Sequence, residues 1–150
     1  MESTQRYFED IPIGQKFELG SVTVTEDEII RFAREFDPQP FHIDKEAAHE
    51  SMFGGLIASG WHTNALYMKL FVTTMMEQFA GRGSPGVDML RWKRPVRPGD
   101  VLHGEFEVLE KKPYRGGMGL IRAANRFINQ DGKEVMHFIG LMLIARRESR

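Results

Sequence analysis

None of the 150 residues is cysteine. That removes disulfides, thiolate–zinc sites and a cysteine nucleophile together. It also fits a reducing compartment, so a cytoplasmic location is the expectation. Basic excess is missing too: 20 Lys and Arg against 21 Asp and Glu leave a formal net charge of −1. Phosphate-backbone binding needs such an excess, which excludes nucleic acid as the main partner. No apolar run is clean enough to cross a membrane. Residues 61–79 come nearest, but His62, Asn64, Lys69 and Glu77 interrupt them, and such groups are expensive in lipid. The opening stretch MESTQRYFEDIP carries acids and no apolar segment, so no signal peptide is expected there. No internal repeat with a period of roughly 20–50 residues is visible, and no low-complexity run. There is no G-x-S-x-G nucleophile elbow, and Gly81-x-Gly83 lacks the strand–turn–helix setting of a phosphate-binding loop.

What remains is the composition of an ordinary globular protein, 41% apolar and 27% charged. The length predicts a single domain over residues 1–150 with one core. A short strand is expected within residues 16–23. Thr25-Glu26-Asp27-Glu28 is a capping-box signature. The helix it starts carries Ile29, Phe32, Ala33 and Phe36 on one stripe, and Pro38 ends it. Asp44 is the expected N-cap of a second, short helix over residues 44–51. A long helix follows, starting at Ser59 or Gly60. Its scattered polar positions predict burial nearly all round, and the glycine-rich stretch 81–86 ends it. From Val87 onward the pattern changes to strands. Pro98-Gly99 predicts a type II turn, residues 112–117 a loop, and Asp131-Gly132 a hairpin. Residues 135–145, nearly all apolar, predict a strand buried on both faces. Helices clustered before antiparallel strands give an α+β class, with a curved sheet wrapped around one helix and hairpin pairing among the long strands.

Chemistry-bearing residues concentrate in residues 36–62. Asp37 and His42 stand five residues apart with two prolines between them. A loop so stiffened can aim a carboxylate and an imidazole at one water, which is the equipment of general acid–base catalysis. On spacing alone, an aspartate capping a turn and a histidine packed in a loop explain the pair as well. If the long helix starts at Gly60, its first amides lack intrahelical partners. The helix dipole then helps them hold a developing oxyanion; a glycine needed only for packing is the alternative. His42, Asp44 and His49 supply ligand types, but their spacing fits no metal-binding pattern, so no metal is expected. Arg91, Lys93, Arg94 and Arg97 form a basic strip around Trp92, suited either to the phosphates of an anionic ligand or to plain solvation. Met68, Met75, Met76, Met89, Met118, Met136 and Met142 give a soft interior that suits an acyl tunnel as well as core filling.

Three segments, in order, resemble one family. Asp37-Pro38-Gln39-Pro40-Phe41-His42-Ile43-Asp44 is similar to the D-x-N-P-x-H-x-D motif of the MaoC-like dehydratases, which include the (R)-specific enoyl-CoA hydratases. Phe53-Gly54-Gly55-Leu56-Ile57-Ala58-Ser59-Gly60 resembles their G-x-I/V-x-x-G segment, and Arg94-Pro95-Val96-Arg97-Pro98-Gly99-Asp100 their P-V-x-x-G-D turn. The resemblance implies a hot dog fold, commonly a homodimer or a dimer of dimers. It also implies a hydro-lyase of fatty acid metabolism that hydrates a trans-2-enoyl thioester reversibly, with acyl-CoA as substrate and no cofactor. Asp37 and His42 would activate the water and the Gly60 amide would bind the thioester oxygen. Ser59, Trp61 and His62 would line the substrate pocket, with Arg91, Lys93 and Arg94 toward the carrier phosphates. A hot dog thioesterase and a non-catalytic acyl-thioester binding module are the alternatives. Three positions depart from the family pattern: Phe36 where glycine is common, Gln39 where asparagine is usual, and Ser59 where histidine is frequent.

Overall fold

A computed structural model describes residues 5–147. Of the charged tail expected at residues 146–150, the last three positions lie outside the described residues, as do the first four of the chain. The elements run β1 (Lys16–Thr23), α1 (Glu26–Phe36), α2 (Pro40–Ile43), α3 (Lys45–Glu50), α4 (Gly60–Met75), β2 (Gly86–Trp92), β3 (Val101–Tyr114), β4 (Met118–Ile128) and β5 (Glu134–Ala145). The strands form one antiparallel sheet in the order β1-β3-β4-β5-β2. Register shifts in β1, β2 and β3 bend it. The long helix α4 packs into its hollow, which is the hot dog arrangement.

The caps work as the sequence predicts. Thr25 Oγ1 accepts from the Glu28 amide at 3.3 Å, although Glu28 does not reach back to complete the box. Asp44 Oδ1 accepts from the amides of Glu46 and Ala47 at 2.9 and 3.2 Å. At the 97–100 turn, Asp100 N donates to Arg97 O at 3.0 Å and Gly99 holds φ +88°, the left-handed value a type II turn requires. The second element of the motif region was not legible: α2 is a single helical turn with Pro40 in its first position, where a missing N–H costs nothing.

Three expectations are corrected. β3 continues through Pro113 to Tyr114, so the loop shrinks to residues 115–117. β2 pairs with β5 rather than with its sequence neighbour β3, because the proline-rich connection carries the chain across to the opposite edge. Finally, α4 is buried on one side only. His62, Thr63, Tyr67, Phe71 and Met75 face the interior, whereas Trp61, Met68 and Val72 are exposed. The sheet covers one flank of the helix and leaves the other apolar and open. In α1 the end of the predicted stripe is likewise outside: Phe36 is exposed and rests against Phe32, ring centroids 5.1 Å apart.

The core is aromatic at its centre. Tyr67 meets Phe127 and Phe138 edge-on, centroids at 5.2 and 5.6 Å, a favoured aromatic geometry. Its buried hydroxyl donates to Asn125 Oδ1 at 2.7 Å, with the Glu105 carbonyl also in reach at 2.9 Å, so the polar atom is not left unpaired inside. Burial pushes the Tyr67 phenol far above its ordinary pKa. No helix among the described residues is long and apolar enough to cross a membrane.

Candidate active site

Asp37 is the residue that closes α1. Its amide donates to Ala33 O at 2.8 Å, and Pro38 prevents another turn. The helical turn of α2 then swings His42 back, and the ring ends up buried. His42 Nδ1 lies 2.7 Å from the Ile57 carbonyl oxygen. A carbonyl can only accept, so Nδ1 carries a proton; in the neutral form of the ring Nε2 is then the free nitrogen. Nε2 stands 3.4 Å from Asp37 Oδ2. The strand-like stretch that supplies Ile57 is pinned on both sides: Ile57 N donates to Phe41 O at 3.2 Å, and Ala58 N to Val96 O at 2.8 Å.

The Asp37 carboxylate is held at both oxygens. Gln39 Nε2 donates to Oδ1 at 2.7 Å and Ser59 Oγ donates to Oδ2 at 2.7 Å. Burial works to raise this carboxyl's pKa. The bonds from Ser59 and Gln39, with the nearby His42, outweigh it and hold the group below the ordinary aspartate value. The two donors are the residues at two of the three positions where the sequence departs from the D-x-N-P motif family. Asp37 is therefore a carboxylate across the neutral range, and the fold gains stability from it above the unfolded-state pKa. That contribution fades as the pH falls through the depressed folded value. Ser59→Ala removes one of these bonds, so the Asp37 pKa is expected to rise. The acid limb of any activity that needs the carboxylate should then move to higher pH. A kcat/KM profile measures it, and an unmoved limb would show that Ser59 does not set the charge of Asp37. The same change removes the N-cap bond to the Trp61 amide, 3.2 Å, at about 1 kcal/mol of stability.

Gly60 begins α4, and its amide hydrogen has no partner among the described residues. Gly60 lines the same cavity as Asp37 and His42, a space of about 490 Å³ also lined by Trp61, Trp92, Lys93 and Arg94. The helix N-terminus adds positive potential there. Three predicted residues, His62, Arg91 and Ser59, are not brought to this cavity. His62 is about 200° around α4 from Gly60. It faces α1, stacked on Phe32 with centroids 4.8 Å apart. Its Nδ1 is buried and has no hydrogen-bond partner among the described residues. Burial lowers its pKa, an effect that Glu28 opposes and Arg31 reinforces. Arg91 lies outside the lining and donates to its neighbour's carbonyl, Leu90 O, at 2.9 Å. Ser59 is fully buried behind the wall and acts on Asp37. Lys93 pairs with Glu134 at 3.1 Å, whereas Arg94 has no carboxylate partner among the described residues. Arg97 is occupied elsewhere, donating to Phe53 O at 2.6 Å. Among the described residues no group of three His, Asp or Glu side chains gathers at one point to hold a metal ion.

Two contributors were not singled out from the sequence. The Ile57 carbonyl is a backbone atom and leaves no side-chain signal. Trp92 was visible only as the aromatic within the basic strip, and nothing local placed its ring against Gly60.

The family model described as "MaoC like domain" matches residues 8–129. The chain belongs to this family. Among curated relatives, the uncharacterized protein YdeM of Bacillus subtilis is 40% identical over 143 residues, which is 93% of this chain and 98% of YdeM. The 3-hydroxybutyryl-CoA dehydratase of Methylorubrum extorquens is 30% identical over 111 residues, 73% of this chain and 68% of that enzyme. Among solved structures, the MaoC-like dehydratase from Rhodospirillum rubrum superposes with a TM-score of 0.85 at 39% identity, covering 96% of this chain and 99% of that one. A MaoC-like domain with hydratase and dehydratase relatives is thus the setting in which the pair Asp37 and His42 sits.

Proposed function

We propose that this MaoC-like protein is an acyl-CoA hydratase/dehydratase, adding water reversibly to a trans-2-enoyl thioester. The observation that carries the proposal is the convergence of Asp37 Oδ2 and His42 Nε2, 3.4 Å apart, on a cavity that the unpartnered Gly60 amide also lines. Two acceptors that close suit a single water donating to one or both. In the forward step the water oxygen bonds to C3 as the C2–C3 π bond breaks, the pair takes one of the water's two protons and delivers a proton to C2, and the other stays on the new C3 hydroxyl. Because one pair handles both ends of the water, addition is syn. Charge that develops on the thioester oxygen meets the Gly60 amide, placed for it before reaction begins. Every proton is accounted for by water, substrate and side chains, so the proposal includes no cofactor and no metal.

The direct test is incubation of the purified protein with crotonyl-CoA and longer 2-enoyl-CoAs, following the conjugated-thioester absorbance. Loss of absorbance without free thiol is the expected result. Thiol release from saturated acyl-CoA would make it a thioesterase, and binding without product a non-catalytic acyl-thioester binding module. Carrier recognition is assigned to the cavity mouth. Reversing Lys93 and Arg94 together is expected to raise KM severalfold while kcat changes little; an unchanged KM would return both to solvation.

The exposed apolar stripe Trp61, Met68 and Val72 on α4, with Val87 and Met89 on the edge strand β2, supports a homodimer in solution. A cytoplasmic location belongs to the same proposal, on the absence of cysteine.

A further inference from the structure

Two cavities flank one crevice between α4 and β2. The first is the Asp37–His42 cavity, to which α4 contributes Gly60 and Thr63 and β2 contributes Trp92. The second, about 270 Å³, takes Met68, Phe71 and Val72 from α4 and Val87 from β2, and is closed by Phe138 and Met142 of β5. Its walls are almost entirely apolar. Along α4 the positions Gly60, Asn64, Met68 and Val72 form one i, i+4 row, which runs from the first cavity into the second. Trp92 lies across this row. A Cβ built on Gly60 would come within 2.8 Å of its Cζ2 and closer to two other ring atoms. Its Nε1 donates to Asn64 Oδ1 at 2.7 Å, and Trp61 meets it edge-on with centroids 5.0 Å apart.

We infer that Trp92, anchored by Asn64, is a partition that sets acyl chain length: it holds the substrate to a short chain and shuts a longer one out of the apolar cavity. This rests on the acyl-thioester reading above. A chain that leaves the thioester near Gly60 and follows α4 meets the indole, which lies over Gly60 and reaches Asn64. The methionine- and phenylalanine-lined space beyond would take the rest of a longer chain only with the ring gone. Hydrogen bonding by Nε1 explains why the ring stays. Trp92 is partly exposed, so apolar burial alone does not fix its position, and a buried or half-buried indole N–H seeks an acceptor.

Trp92 and Asn64 are specificity residues here, so the readout is a ratio rather than a rate. Binding of the saturated, unreactive butanoyl-CoA and decanoyl-CoA is measured by calorimetry on the full chain, for the wild type, Trp92→Ala and Asn64→Ala. Wild type is expected to bind butanoyl-CoA at least as tightly as decanoyl-CoA. Trp92→Ala should move the ratio toward decanoyl-CoA by about tenfold or more, since each further buried methylene is worth about fourfold in binding. Asn64→Ala, which removes the anchor and leaves the ring, should move it less in the same direction. A wild type that prefers decanoyl-CoA overturns the partition, as does a folded Trp92→Ala protein with an unchanged ratio. If Trp92→Ala does not fold, Asn64→Ala decides alone, and an unchanged ratio there overturns it. Crotonyl-CoA turnover is measured on the same samples. No turnover with the predicted shift in ratio sinks the hydratase reading and keeps the partition; no binding by any of these proteins sinks both.

Discussion

Asp37→Asn is expected to lower kcat/KM for hydration of a short 2-enoyl-CoA by about 10²–10⁴-fold, the range that a positioned acid or base supplies. Asparagine nearly preserves shape. Its oxygen can still accept from Gln39, and its amide can donate to Ser59 Oγ, so the turn between α1 and α2 should persist and the melting temperature should hold. What is lost is the charge and the second acceptor. His42→Ala should cost activity on the same scale, with some stability as well, because the Ile57 carbonyl loses its partner and an unpaired buried polar group costs about 1–3 kcal/mol. The double variant should be little worse than either single one, since two groups that act on one water behave as a unit. Full activity in both single variants, with folding verified by circular dichroism, would remove the pair from the chemistry.

Gly60→Ala is the second large effect. The added methyl would overlap the Trp92 indole, and one of the two must move. Trp92 is the more exposed partner, so the ring is expected to swing away, breaking its bond to Asn64, and the methyl then narrows the cavity beside the free amide. A drop in kcat of about 10²-fold is expected, at the lower end of what loss of an oxyanion donor costs. Adding Trp92→Ala to Gly60→Ala should recover part of the lost stability by relieving the overlap. Overpacking of this kind typically costs about 1–3 kcal/mol. Wild-type kcat in Gly60→Ala would mean that no reacting oxygen approaches this backbone.

The departures of the sequence from its family pattern acquire a physical meaning at the site. In the sequence Gln39 and Ser59 are simply departures from the family motif. In the structure they are the two donors that clasp the Asp37 carboxylate, one on each oxygen. Gln39 could be placed near Asp37 from its position two residues on. Ser59 could not, because it is 22 residues away and reaches Asp37 only after α2, α3 and the stretch before α4 have folded. His62 shows the opposite case. Its position two residues after Gly60 suggested the pocket, yet a helix sends neighbours at that spacing to nearly opposite sides, and it packs on α1.

By itself the sequence determined what is decided within a turn or two of chain. The caps at Thr25 and Asp44, the stop at Pro38, the start of α4 at Gly60, the turn at Gly99 and the alternation along β3 all follow from side-chain chemistry over a few residues. Only the tertiary structure decided which strand lies beside which, which flank of α4 stays open, and that Trp92 lies over Gly60. It also decided that the Ile57 carbonyl fixes the proton on His42 and that Nε2 then faces Asp37. The His42–Ile57 and Gly60–Trp92 contacts join residues 15 and 32 positions apart, and their geometry is set by sheet register and packing, which no short stretch of chain contains.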